Sequence, residues 1–339
     1  MENLPPNLRV LVICPDWQQP AGGVRKLYRH VDVLNASGIP AAIVHQQRGF
    51  RCSWFEHQTK IVYEPDVFPP RAGEILLVPE NVAWQMMSLT RGVPKVIFNQ
   101  NAYQTFANVT PEIEQLVAPY NHPDYLASIV VSEDSRAYLN YAFPEHPVYR
   151  VHNSVDPALF HCEAGKRPRI AMMARKKKDD AIQVINMLSL RRATTGFEII
   201  AIANQSEANA AAMLRESMVF LSLSTYEGSP MPPMEALACG CVTVGYASSG
   251  GAEYVNEQTA FPVAAEDVVG FARRLETVLD QLRKDPQPLL EKARRASAFI
   301  HADYSPQREE QDILAAWGQI LAPSPLNDRP RRAEREEIS

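Results

Sequence analysis

The sequence has no C-x-x-C pair. Its five cysteines (Cys14, Cys52, Cys162, Cys239 and Cys241) are an odd number, so it indicates neither a disulfide framework nor a zinc site. Such usage fits a reducing, cytosolic compartment. No apolar run reaches the roughly 18–20 residues that cross a bilayer, and the opening "MENLPPNLRVLVICP" has no basic segment followed by a long apolar one. Any membrane contact is therefore expected to be peripheral, at the inner face. An excess of positive charge is missing too: 34 Lys and Arg face 39 Asp and Glu, for a net charge of -5, unlike the basic face of a nucleic-acid binder. Neither GxGxxG nor a P-loop is present, so dinucleotide or ATP binding is not specifically indicated. No repeat of about 20–50 residues is evident. What the chain does have is 339 residues, 46% of them hydrophobic, enough to fill the cores of two ordinary domains.

Short apolar, β-branched runs alternate with segments of helical period, the pattern of βα units around parallel sheets. In the first half, strands are expected at 9–15, 41–46, 74–80, 95–101, 128–133 and 148–153, with helices near 23–37, 82–91, 111–118 and 133–141. A polar, basic stretch, "HCEAGKRPR" (161–169), separates this series from a second one with strands at "IAMMAR", "FEIIAIA", "MVFLSLS" and "VTVGY". From 266 onward the pattern is helical, near 266–284, 288–302 and 306–320, and the last residues read as a mobile tail. The expected division is 1–160 for one Rossmann-like domain, 161–305 for another, 306–322 for a helix and 323–339 for the tail. Ligands of open α/β sheets collect beyond the carboxyl ends of the strands, so the residues just after strands carry most information.

Four places stand out. After the first strand, Gly22 and Gly23 open a helix, leaving backbone N–H groups for an anion or making only a tight turn. That helix carries Arg25, Lys26 and Arg29 opposite Val24, Leu27, Tyr28 and Val31, which reads as a solvated face or as a membrane-surface face. In "ARKKKDDA" (174–181), Arg175 with one of Lys176 to Lys178 suits a diphosphate at a strand's carboxyl end; the plain alternative is a solvated charge run. In "EGSPMPPMEALACG" (227–240), Glu227 falls in a loop and Glu235 on the helix after it. Ser229 is the expected N-cap and Pro230 the first helical residue, with Pro232 and Pro233 at the third and fourth positions, so that three of the first four amides are missing. Two carboxylates so spaced can accept hydrogen bonds from hydroxyls at the two ends of one ligand.

Taken together, these features resemble a nucleotide-sugar-dependent glycosyltransferase of the GT-B fold, of the large family 4 (glycosyl transferases group 1). The resemblance is carried by "STYEGSPMPPMEALACG" (224–240), with Ser224, Gly228, Ala236 and Gly240 beside the glutamates, by the glycine pair, by "HNSVDPALF" (152–160) and by "GGAEYV" (250–255). It covers nearly the whole chain to about residue 322. It implies two Rossmann-like domains facing a cleft, with the last helix crossing back to the first domain. It also implies that Glu235 holds the ribose hydroxyls and that Glu227 contacts the donor sugar. Arg175 and Lys176 or Lys177 would hold the diphosphate, Gly22 and Gly23 would lie against it, and Ser229 and Met231 would line the donor loop. By the same resemblance the reaction is a retaining, metal-independent transfer to a carbohydrate or lipid-linked saccharide in surface glycan biosynthesis. It needs no cofactor beyond the nucleotide-sugar co-substrate, and positive side chains stabilise the leaving nucleoside diphosphate.

Three departures from the family pattern stand out. Pro230 replaces the common glycine, the spacing from Arg175 to its lysine is shorter than usual, and no histidine ends the acceptor-side strand. Asn99, Gln100 and Asn101 stand there instead, with His122 in "YNHPDY" the nearest histidine; these four are the acceptor-side candidates. The competing readings are a GT-B-like nucleotide-sugar epimerase and a non-catalytic GT-B module serving a partner enzyme.

Overall fold

The structure is a computed structural model and describes residues 7–107, 118–173 and 177–322. The first series builds β1 (Arg9–Ile13), α1 (Gly22–Ala36), β2 (Ala41–His45), β3 (Ile61–Tyr63), the single turn α2 (Glu64–Val67), β4 (Glu74–Pro79), α3 (Ala83–Leu89), β5 (Lys95–Asn99), β6 (Tyr125–Val130), α4 (Glu133–Ala142) and β7 (Val148–Arg150). Its sheet is parallel, in the order β3-β2-β1-β4-β5-β6-β7. The second series builds β8 (Arg167–Met172), α5 (Lys178–Leu190), β9 (Glu198–Ala201), α6 (Glu207–Glu216), β10 (Ser217–Leu223), α7 (Met231–Ala238), β11 (Val242–Tyr246), β12 (Phe261–Val263), α8 (Val268–Lys284) and α9 (Gln287–Asp303). Its parallel sheet runs β12-β11-β10-β8-β9, and α10 (Pro306–Ile320) closes the described chain.

The central strands are buried on both faces, as parallel sheets require: every residue of β2, β4, β5 and β11 is buried. Val10 and Val12 of β1 face one apolar layer and Leu11 the other. The helix α1 forms because Val24, Leu27, Tyr28, Val31 and Leu34 recur at helical spacing and are all buried. It stops at Gly38, whose φ of +80° is the left-handed turn, with Ile39 N–H closing on Leu34 C=O at 2.9 Å. The terminal helix α10 packs into the first domain, where Ile313, Ala316, Trp317 and Ile320 join the layer formed by α1 and β1.

The expected strands and late helices are present. Missing from the sequence reading are β3 and β12, which have three residues each and lie at sheet edges, too short for a period to register. The helix expected near 111–118 falls almost wholly on residues 108–117, and the tail on 323–339, outside the described residues.

Candidate active site

Each sheet has one place where the strand order reverses. In the first it lies between β1 and β4, and in the second between β8 and β10. Loops leaving such neighbouring strands part to opposite faces and open a crevice at the strands' carboxyl ends. In the first sheet those loops carry Gly22–Gly23 after β1 and Glu80 after β4; in the second, the loop after β10 carries Glu227 and leads into α7 with Glu235. The two crevices face each other.

Contact across the cleft is close. Asn101 Nδ2 donates to Tyr226 C=O at 3.1 Å, while Gln100 Nε2 braces Gly23 C=O at 3.2 Å within the first domain. A Cβ at Gly22 would sit 2.9 Å from Met231 Cγ, and one at Gly228 would overlap the Gln100 carbonyl. These glycines are needed because protein backbone and Met231 already occupy the space.

The predicted donor residues are partly assembled. Glu235 is on α7 with its side chain 8% exposed, while Glu227 is half-buried in the loop, its carbonyl accepting from Gly250 N–H at 3.0 Å. The helix start differs from expectation. Pro230 is the N-cap residue, Met231 opens the helix and no side chain caps it, so Ser229 does not fill that role; its carbonyl instead receives Asn153 Nδ2 at 3.5 Å. Only Pro232 and Pro233 of the first four helical residues therefore lack an amide. Arg175 and Lys176 lie outside the described residues. Lys177 has a left-handed φ of 53° and pairs with Glu266 at 3.0 Å, and Lys178 begins α5.

The acceptor-side candidates divide. Asn99 is fully buried and donates to Tyr120 Oη at 2.8 Å and Thr105 Oγ1 at 3.1 Å, which makes it a core residue. Gln100 and Asn101 do reach the cleft: Asn101 bridges the domains to Tyr226, whereas the Gln100 side chain is taken by Gly23 of its own domain and its carbonyl packs against Gly228. His122 precedes β6, at the end of the sheet away from the cleft, and its Nδ1 accepts from Asp124 N–H at 3.2 Å. It cannot meet a ligand held between the domains.

Several site residues carried no such signal in the sequence. Arg25, read as part of a solvated or membrane-facing turn, is only 16% exposed and enters the cleft: Nη2 donates to Glu235 Oε1 at 2.6 Å and Nη1 pairs with Glu207 at the start of α6. Its neighbour Lys26 is buried too, donating to Glu309 Oε1 at 2.9 Å and Ser154 C=O at 2.8 Å. With both cations turned inward, Arg29 is the one of the three that remains at the surface, its side chain 36% exposed. Burial drives the Glu207 carboxyl above its ordinary range, with Arg25 opposing. Burial also pushes Glu80 up to about 7, although backbone N–H groups of Gln100 and Asn101 favour its charged form. Beside the Arg25 cluster lies a cavity of about 420 Å³ lined by Gln18, Gln19, Pro20, Ser53, Trp54, Asn204, Gln205 and Ser206.

Residues 193–296, which include β10, the Glu227 loop and α7, match the family described as glycosyl transferases group 1. Three solved structures share the whole architecture. Sucrose-phosphate synthase from Thermosynechococcus elongatus is 13% identical with a TM-score of 0.69, covering 94% of this chain and 100% of its own. The pneumococcal O-GlcNAc transferase GtfA, solved with UDP and GlcNAc, is 9% identical at a TM-score of 0.68, again over 94% and 100%. HepE from Anabaena, solved with UDP, is 12% identical at 0.66, over 92% and 100%. The fold is GT-B. No curated protein matches the chain significantly by sequence. The opposed crevices are part of the GT-B fold, in which two parallel sheets face each other across a cleft.

Proposed function

We propose that this protein is a glycosyltransferase of the family 4 type, moving a sugar from a nucleoside-diphosphate donor to a saccharide or lipid-linked saccharide acceptor. The observation that carries the reading is the placement of Glu227 and Glu235 on the loop and helix after β10, at the switch point of the second sheet and opposite the Gly22–Gly23 turn of the first. The match of residues 193–296 to glycosyl transferases group 1 supports it independently. In this reading Glu235 accepts the ribose hydroxyls and Glu227 those of the donor sugar. Arg175 with Lys176 or Lys177 neutralises the diphosphate as the glycosidic bond breaks. The departing charge needs such cations because Pro232 and Pro233 remove two amides from the nearest helix start.

The cavity beside Glu207 is the proposed seat of the base. Gln18, Asn204 and Gln205 each offer a donor and an acceptor for a base edge, and Trp54 an aromatic wall. UDP is the first nucleotide to test, because the similar HepE and GtfA structures hold it. A retaining, metal-independent course and a role in surface glycan assembly belong to the same proposal. Among the described residues no helix is long and apolar enough to cross a membrane.

The test is thermal melting with UDP, GDP and dTDP, followed by assays of nucleotide-sugar hydrolysis and transfer. At least one nucleotide is expected to raise the melting temperature, and Glu235→Ala to abolish the shift. No shift with any of the three would overturn the donor site. Binding without turnover of any sugar nucleotide would favour the non-catalytic module.

A further inference from the structure

Arg25 occupies the carboxylate proposed for ribose. It reaches across from the first turn of α1 in one domain to Glu235 on α7 and Glu207 on α6 in the other, with all three side chains at most 16% exposed. A cation in the first turn of a helix is disfavoured by the helix dipole, so α1 itself gives no reason for an arginine there. The reason lies across the cleft. Two carboxylates brought together away from water repel each other and need a shared cation, and a guanidinium has two faces with which to serve both.

The two ends of this cluster are not equivalent. Glu207 is held against the first domain independently of Arg25, because its N–H donates to Trp54 C=O at 3.2 Å. Glu235 itself has no such backbone tie among the described residues: the loop before α7 is held at the Tyr226 and Ser229 carbonyls, and the link of the Glu235 carboxylate across the cleft is the Arg25 hydrogen bond at 2.6 Å. Glu207 is therefore the anchor and Glu235 the seat that can be exchanged.

We infer that Arg25 is a positioning residue that competes with the donor's ribose: it latches the ligand-free cleft through Glu235, and ribose hydroxyls gain Glu235 only by displacing it. This rests on the reading of Glu235 given above. It follows that the ribose hydroxyls contribute less to affinity in the wild-type protein than they would without Arg25, because each hydrogen bond they form replaces one already made. Release of the latch and ribose recognition are therefore one event. A nucleotide lacking the hydroxyls binds with the Arg25–Glu235 contact still made, so it gains nothing when Arg25 is removed.

The test compares UDP with 2′,3′-dideoxy-UDP by calorimetry on the full chain, in wild type, Arg25→Ala and Arg25→Gln, alongside small-angle scattering of each ligand-free protein. The two substitutions differ in the void they leave, so a folding defect in one does not remove the measurement. The expected result is that the preference for UDP over the dideoxy compound rises by at least about threefold without Arg25, and that the ligand-free radius of gyration increases. The ratio cancels any general loss of attraction for the diphosphate. An unchanged ratio with unchanged dimensions overturns the latch. Equal weakening of both ligands overturns it as well, and assigns Arg25 to the diphosphate. If no nucleotide binds any variant while the expansion still occurs, the donor-site reading fails and displacement by ribose fails with it, leaving only an ionic clasp between the domains.

Discussion

Glu80 shows how one residue sets the loop on which the cleft depends. It follows β4, is 9% exposed, and accepts from Gln100 N–H at 3.1 Å, so it holds the loop whose next contacts are Gly23 in the same domain and Tyr226 across the cleft. Burial raises its carboxyl from 4.5 to about 7 in the folded protein. A carboxyl whose folded value lies above its unfolded value binds its proton more tightly when folded. Its contribution to stability is thus complete below about pH 4.5 and is lost as pH rises through about 7. The loss should approach about 3 kcal/mol above pH 8, taking 1.36 kcal/mol per unit. Melts of wild type and Glu80→Gln at pH 5 and pH 8 should show wild type losing stability relative to the variant. Parallel curves would mean that Glu80 titrates normally.

At the scale of elements, α10 is the part that joins the domains. Trp317 is fully buried and its Nε1 donates to His30 Nε2 at 2.7 Å, so His30 carries its proton on Nδ1 and burial holds it neutral, down to about 4. Glu309, 2% exposed, receives Lys26 and the Ser154 hydroxyl in the same helix interface. Trp317→Ala should cost about 3–5 kcal/mol, as for a large aromatic removed from a core. Amide exchange should quicken first in α10 and α1 and last in α7. Uniform quickening would mean that the helix is not a separate contributor.

Elements such as α10 were legible because Ile313, Trp317 and Ile320 repeat at helical spacing within one segment. The placement of Glu227 and Glu235 after β10 was legible because both fall within one short loop and helix, eight positions apart. Arg25 was not. Its partners are 182 and 210 residues away, and the turn that holds it reads locally as three solvated cations. His122 failed in the opposite sense: its nearness in sequence to the expected acceptor strand said nothing about which end of the sheet it would occupy. The N-cap was misplaced by one residue because three prolines in four positions allow more than one start, and only the observed φ and ψ of Pro230 decide between them.

For the whole molecule, the chain crosses between domains twice, in the segment between β7 and β8 and in the turn between α9 and α10. Glu253 lies beside both crossings. It pairs with Arg150 at the end of β7, accepts from Glu133 N–H at 2.7 Å, and receives the Tyr304 hydroxyl at 3.2 Å from the residue that ends α9. Arg25 is on the other side of the structure's logic, inside the cleft beside the open cavity. Breaking an ionic contact at a hinge and breaking one within a cleft have different consequences. At the hinge, the domains remain tied by two chain crossings and by α10, so loss of Glu253 removes hydrogen bonds without releasing the domains. Glu253→Ala should therefore lower stability by about 1–2 kcal/mol, discounted from the fully buried case because the pair is partly exposed. That corresponds to a fall of roughly 1–3 °C in melting temperature for a chain of this length. Its ligand-free radius of gyration should match wild type, whereas Arg25→Ala should expand the molecule. If Glu253→Ala expands it as much as Arg25→Ala does, closure is spread over the whole interface and the assignment of hinge and cleft contacts to separate roles is wrong.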